Sequence, residues 1–190
     1  SFVLANNLDA STASQWNAGA GCAPIGSSAN PFTGSFDGQN FVISNFSIQR
    51  GGQDNIGLFG YSNAASFANL GLDNVSLLGT ANVGALLGRG DGNTSIDNVW
   101  SSGTVTSDST ATTKLGVGGL VGNLTGAVAD SHSTAKVDGY IAVGGLVGNM
   151  TDGAGVLISN SWASGDVHAT YGYAGGLVGR SYARITDSYA

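Results

Sequence analysis

Few side chains in this 190-residue sequence could run acid–base, nucleophilic or metal chemistry: two histidines, one cysteine and twelve acidic residues, all of them Asp. A hydrolytic triad needs a histidine beside a serine or cysteine, and a zinc site needs three or four clustered ligands. His132 and His168 lie 36 residues apart, Cys22 is far from both, and no serine is singled out by its neighbours. Polysaccharide lyases and hydrolases need clustered carboxylates, often with calcium or a basic residue. Asp97, Asp130 and Asp187, with Arg184 nearby, are the set that could supply them. Asp91-Gly92-Asn93 with Asp97, or Asp152-Gly153, offers oxygen ligands to calcium, at spacings that match no recognised loop. No catalytic residue, metal or cofactor is expected, and the chain reads as a non-enzyme.

Two short motifs remain. Arg89-Gly90-Asp91 is the tripeptide that integrins recognise, expected here in an exposed turn, and five Asn-x-Ser/Thr sequons stand at Asn45, Asn74, Asn93, Asn123 and Asn149. Both are frequent by chance in a chain so rich in Gly, Asp, Asn, Ser and Thr, and sequons matter only where glycosylation machinery exists.

The composition decides what must hold these groups in place. Glycine supplies 32 residues, proline 2, and charged residues only 9%, against about a quarter in ordinary domains. The missing Glu and two Lys argue against helices, whereas Asn, Asp, Ser and Gly favour turns. Net charge is −6 and the six basic residues (Arg50, Arg89, Lys114, Lys136, Arg180, Arg184) are scattered. Nucleic acid and anionic membranes both need clustered cations, so neither is expected as a partner. No apolar run reaches membrane-spanning length and no signal peptide is present, so membrane insertion is not expected and any targeting segment would lie elsewhere. Cys22 has no second cysteine to pair with in the chain and reads as an unpaired thiol, an interchain bridge or attachment point being the alternative.

The dominant feature is internal repetition. A glycine-framed apolar pentad or hexad recurs at Ile56–Gly60, Val83–Gly88, Val117–Gly122, Val143–Gly148 and Ala174–Gly179, its closing glycines 28, 34, 26 and 31 residues apart. A second element, an apolar residue followed two positions later by Asn or Asp, alternates with it: Ile43/Asn45, Phe67/Asn69, Ile96/Asn98, Val128/Asp130, Ile158/Asn160 and Ile185/Asp187. A unit of about 28 residues is too short for a strand–helix–strand crossover, and no segment shows helical periodicity. Short strands stacked turn upon turn satisfy both constraints, because one turn cannot bury its inner face alone but a pile of them can.

The fold class expected is therefore all-β: a parallel β-helix, taken as right-handed, of six to seven rungs with three short strands each. At about 4.8 Å per rung it would be a rod roughly 30 Å long. Residues 1–190 form one domain, with 1–50 an opening rung carrying an insertion and 51–190 the repeats. Like residues should then form columns. Leu58, Leu86, Leu120, Leu146 and Leu177 form the core column. Asn45, Asn69, Asn98, Asp130, Asn160 and Asp187 form a polar turn ladder in which the two Asp are never adjacent. Trp100, His132, Trp162 and Tyr189 share one position, and Trp100, Trp162 and Tyr189 are the side chains on which a glycan could stack if they face outward. Trp16, Tyr171 and Tyr173 could extend such a strip.

The pentads, strongest at Val117–Gly122, Val143–Gly148 and Ala174–Gly179, together with the leader Pro24-Ile25-Gly26…Phe32-Thr33-Gly34-Ser35-Phe36-Asp37-Gly38…Ile43-Ser44-Asn45, resemble the GLUG-motif repeats. These occur in bacterial surface proteins such as filamentous-haemagglutinin-like adhesins and in the non-catalytic regions of IgA-specific metallopeptidases. The resemblance covers nearly the whole chain and implies a β-helical, exported, cell-surface region. It does not bring peptidase activity, which uses a His-Glu-x-x-His helix, in a chain without Glu.

The expected function is a structural extracellular module at a bacterial cell surface, an adhesin stalk or self-assembling filament subunit. Its partners would be copies of itself stacked end to end or flanking repeats of a longer chain. A carbohydrate-binding face for host or matrix glycans is the first alternative, and a β-helical polysaccharide lyase or hydrolase the second.

Overall fold

Apolar runs broken every few residues by Asn, Asp and Gly wind the chain into a parallel β-solenoid of about six turns, seen in a computed structural model that describes residues 1–110 and 116–190. Lys114 lies outside the described residues. Strands Ser35–Ser44, Ser66–Gly79, Leu87–Ser107, Val121–Ala129, Val147–Met150 and Val178–Ser181 follow one another as hydrogen-bonded neighbours, every pair parallel.

The pairing register aligns the pentads. Phe59 lies opposite Leu87, Leu87 opposite Val121, Val121 opposite Val147 and Val147 opposite Val178. One position earlier, Leu58, Leu86, Leu120, Leu146 and Leu177 therefore fall in a single line. Backbone bonds tie it together: Leu86 N–H donates to the Leu120 carbonyl (3.0 Å), Leu120 to Leu146 (2.9 Å) and Leu146 to Leu177 (2.9 Å). Leu86, Leu120 and Leu146 are fully buried, while Leu58 and Leu177, toward the two ends, are half-buried and pack on the core. A second apolar column runs Phe36, Phe67, Ile96, Val128, Ile158, Ile185. In the N-terminal half the interior is aromatic: the Phe59 ring centroid lies 4.8, 5.5 and 4.6 Å from those of Phe32, Phe36 and Phe67.

The closing glycine of each pentad is dictated by the turn below it. A Cβ on Gly122 would sit 2.5 Å from both the Asn82 carbonyl carbon and the Val83 nitrogen, and one on Gly179 would meet Ala142 and Val143 backbone at the same distance. Backbone cannot yield as a side-chain tip can, so glycine alone fits.

Residues 1–32 make the opening turn. Phe2–Val3 pairs with Phe36–Asp37 and Leu8–Asp9 with Ile43–Ser44. Two short 3-10 segments, Ser11–Gln15 and Asn17–Gly19, form the insertion, and the chain returns through bridges of Ile25 to Phe59 and Phe32 to Ser62. Strand Ser35–Ser44 already belongs to the second turn. At the opposite face, Arg184–Thr186 stacks on Leu157–Ser159 and Tyr189 bridges Trp162.

Candidate functional site

The corners carry most of the polar order. All six of the predicted ladder residues adopt a left-handed backbone, with φ between 46° and 60°, a conformation that Asn and Asp tolerate far better than other side-chain-bearing residues. Five of them form one column: Asn69 aligns with Asn98, Asn98 with Asp130, Asp130 with Asn160 and Asn160 with Asp187. Asn45 does not belong to it. Ile43 pairs with Leu72 rather than Phe67, so Asn45 sits in the next corner, between Asp9 and Asn74. The second turn enters the first column through a bulge, Asp37 to Phe41, where the register shifts.

The side-chain bonds share one direction. Asn45 Nδ2 donates to Asp9 Oδ1 (2.9 Å), Asn74 to Asn45 (2.8 Å), Asn69 to Asp37 (3.0 Å), Asn98 to Asn69 (2.9 Å), Asn82 to Asn55 (2.8 Å) and Asn160 to Asp130. In every pair the later turn donates to the earlier one. The Asn45 amide holds the Asp9 carboxyl below the usual range, and the Gln39 N–H, followed by the Asn69 amide, does the same for Asp37. Where Asp stands above Asn the ladder is interrupted, since an ionised carboxylate has no proton to offer the amide oxygen below. Asp130→Asn is therefore expected to complete the run from Asn69 to Asn160 and raise stability by about 1 kcal/mol, one exposed hydrogen bond's worth. Urea unfolding checks it, and a destabilised variant would contradict the ladder.

A serine ladder beside it escaped the sequence reading. Ser131, Ser161 and Ser188 each donate Oγ–H to the carbonyl two residues back (2.6, 2.7 and 2.7 Å). Each also accepts an amide from the previous turn: Val99 N–H, Ser131 N–H and Ser161 N–H, all at 3.1 Å. The signal was the dipeptide Asp/Asn-Ser at 130–131, 160–161 and 187–188.

Trp100, His132, Trp162 and Tyr189 form one column with nearly parallel rings. Centroids are 6.1, 4.3 and 6.3 Å apart and interplanar angles 8°, 7° and 8°. The rings stack along the axis, so their faces turn toward one another and their edges toward solvent. Trp100's other face lies over Gly71, where a Cβ would come within 2.6 Å of the indole. A sugar stacks on an open aromatic face, and within this column only the outer face of Tyr189, 67% exposed, is open. Trp100 and Trp162 therefore serve the stack rather than a glycan platform. Burial holds His132 below its ordinary value of 6.5 by disfavouring the imidazolium. Above that pH it is neutral folded or unfolded; as pH falls through it the unfolded chain takes the proton first, so stability drops. Between about pH 7 and about pH 5 the parent is expected to lose more stability than His132→Asn, measured by denaturant midpoints.

The other candidates do not converge. His168 Nδ1 lies 3.4 Å from Asp138, which also pairs with Lys136 at 3.0 Å. Arg89-Gly90-Asp91 is in extended strand rather than an exposed turn. Gly90 is buried, Arg89 pairs with Asp91 at 3.0 Å, and Tyr61 donates to the same carboxylate at 2.5 Å. Both charged groups of the tripeptide are thus engaged with each other. Of the sequon residues, Asn45 and Asn74 bond in the ladder and Asn149 is buried at 4% exposure. Asp130 and Asp187 stand on either side of Asn160, about two turn spacings apart, and Asp97 precedes the column opposite Ala129. Among the described residues no three His, Cys, Asp or Glu side chains group closely enough to hold a metal ion. Cys22 is partly buried, with its thiol pushed up by burial, against a cleft of about 480 Å³ formed by Leu8, Trp16, Ile25, Ile43, Phe46 and Leu58. No described helix is long and apolar enough to cross a membrane.

The fold and its ladders define a β-solenoid repeat module. Compared with solved structures, the chain is similar to a candidate immunoglobulin A1 protease from Bacteroides ovatus, with a TM-score of 0.73 over 98% of this chain and 59% of that one, at 22% identity. That likeness concerns the fold. In sequence, 142 residues are 39% identical to a stretch of halomucin from Haloquadratum walsbyi, covering 72% of this chain. The chain spans 2% of halomucin's length. No protein-family profile matches it.

Proposed function

We propose that the chain is a structural module of an extracellular or cell-surface protein, a stalk or filament segment whose turns continue end to end. The observation that carries this reading is the unbroken register of like residues from Phe36 to Ile185, turn upon turn along one axis. Parallel turns stacked along one axis favour heterologous contacts, which extend a rod instead of closing it. The likeness to a segment of halomucin supports an extracellular setting, and the dominance of ladder bonds over convergent polar side chains supports a structural role. Electron microscopy of the native material tests it: rods or fibres with axial order near 4.8 Å are expected, and dispersed globular particles at all concentrations would refute it.

A second reading, glycan binding, draws on the exposed tyrosines around Arg180. Its guanidinium lies 5.9 Å from the Tyr173 ring and 5.1 Å from that of Tyr182, and Tyr171 stacks on Tyr140 at 5.2 Å. Glycan-array binding lost in Tyr173→Ala but kept in Trp100→Ala would support it.

A further inference from the structure

Five Asn-x-Ser/Thr sequons recur along the chain, and the fold treats one of them differently from the rest. Such an acceptor is read at two groups, the asparagine amide that takes the sugar and the hydroxyl two residues on, so both must be within reach. Four of the five do not meet this condition in the folded chain. Asn45 Nδ2 donates to Asp9, its Oδ1 accepts from Asn74, and Ser47 is only 9% exposed. Asn74 Nδ2 is committed to Asn45, and the Ser76 hydroxyl accepts from Gln49 at 3.1 Å. The Oδ1 atoms of Asn123 and Asn149 are sealed from solvent, and the hydroxyls of Thr125 and Thr151 bond each other.

Asn93-Thr94-Ser95 is the exception. Asn93 and Ser95 are both exposed, and neither side chain makes a hydrogen bond among the described residues. The cause lies in the pairing. Gly90 lies opposite Leu124 and Thr94 opposite Gly126, so Asp91, Gly92 and Asn93 occupy the corner that Thr125 alone fills in the next turn. On the other side Asn63 pairs with Asp91 and Ser66 with Ser95, which again leaves the later corner one residue longer.

The surplus forms a bulge, in which Gly92 and Asn93 take left-handed backbone with φ of 66° and 61°. Its base is fixed, because Thr94 is fully buried and donates Oγ1–H to the Asp91 carbonyl at 2.8 Å. Asn93 therefore stands out of the ladder of corners in the middle of the rod, with a turn stacked on each side.

We propose that Asn93 is an N-glycosylation site, its amide the acceptor for an oligosaccharide carried on a polyprenyl diphosphate. The bond from sugar C1 to the diphosphate oxygen breaks and the bond from C1 to Asn93 Nδ2 forms. The lipid diphosphate leaves with the electron pair, and Nδ2 gives up one proton to the transferase. An amide nitrogen attacks only once rotated out of conjugation with its carbonyl. Ladder bonds oppose that rotation at Asn45 and Asn74, and no side-chain bond opposes it at Asn93. Such a modification goes with the extracellular setting proposed above, and a glycan on a side corner leaves the axis of the rod clear for end-to-end contact.

The test incubates the folded chain with a purified oligosaccharyltransferase and a polyprenyl-diphosphate-linked N-acetylhexosamine oligosaccharide, then maps the product by peptide mass spectrometry. Asn93 is expected to be modified at least about tenfold faster than any other sequon, each of which must first open locally. In synthetic peptides spanning the five sequons that preference should vanish. Ser95→Ala, an exposed change that leaves the bonds of the corner intact, should abolish modification at Asn93. Native material should carry a saccharide mass on the peptide containing Asn93. Equal modification of Asn45 or Asn74 in the folded chain, the same preference among the peptides, an unreactive Asn93 in the folded chain, full modification of Ser95→Ala, or a bare Asn93 in native material would each overturn the proposal. Microscopy decides the structural module separately: fibres with a bare Asn93 sink only the glycan, and glycosylated particles that never assemble sink only the filament.

Discussion

Gly122→Ala is expected to destabilise the solenoid by about 3 kcal/mol, at the upper end of what a single added methyl group costs in a packed interior. The methyl carbon would lie 2.5 Å from the Asn82 carbonyl carbon and the Val83 nitrogen and 2.6 Å from the Gly88 carbonyl oxygen. All three are backbone atoms of turns that pair on both sides, so relief requires separating rungs whose ladder bonds fix their spacing. The control is Gly34→Ala, where the nearest atom is a Phe32 ring carbon at 3.4 Å, an ordinary contact; that change should be nearly neutral. Thermal unfolding followed by circular dichroism reads the difference as a midpoint lowered by roughly 10 °C for Gly122→Ala. Equal midpoints for the two variants would show that the closing glycines are not there to admit the neighbouring backbone, and the account of the repeat would lose its main physical cause.

The same glycines explain why so much of the fold was legible. A residue type forced by backbone contact in each turn must recur in each turn, and the pentads did so with an apolar residue at a fixed offset; the alignment of Leu58, Leu86, Leu120, Leu146 and Leu177 followed from that alone. Asn45 was assigned to the wrong column for an equally physical reason. Two adjacent corners carry the same signature, because Leu72-Asp73-Asn74 is as good a match to apolar-x-Asn as Phe67-Ala68-Asn69. In the second turn the true equivalent is hidden by the bulge between Asp37 and Phe41, where Gln39 and Asn40 take the left-handed conformation instead. Corner identity depends on which strand pairs with which, and spacing in one chain does not reveal that when an insertion intervenes. The aromatic column was readable as a column but not as a site. Stacking at one turn's spacing brings ring face against ring face, which removes the surface that a ligand would use. The exposed tyrosines around Arg180 recur in only one or two turns, so repetition gave no signal for them.

Phe59→Ala is expected to cost about 4 kcal/mol, within the range for deleting a buried phenyl ring, and to change how the molecule unfolds. Phe59 is 1% exposed and its ring contacts those of Phe32, Phe36 and Phe67. It thus couples the first three turns through one side chain. Toward Arg184–Ala190 the interior is aliphatic and the last turn is half-covered, with Leu177 and Val178 only half-buried. In a stack of turns, stability is a sum of each turn's own terms and its contacts with two neighbours, so a turn with one neighbour opens first. Hydrogen exchange in the parent chain should therefore show the amides of 174–190 opening at the lowest free energy and those around Phe59, Phe67 and Leu86 near the global limit. In Phe59→Ala the order should invert at the other end, the opening turn of residues 1–32 losing its protection while the turns from Leu120 to Leu146 keep theirs. Uniform loss of protection along the whole chain would mean that the solenoid unfolds as one unit, and that neighbouring turns are not the units of its stability.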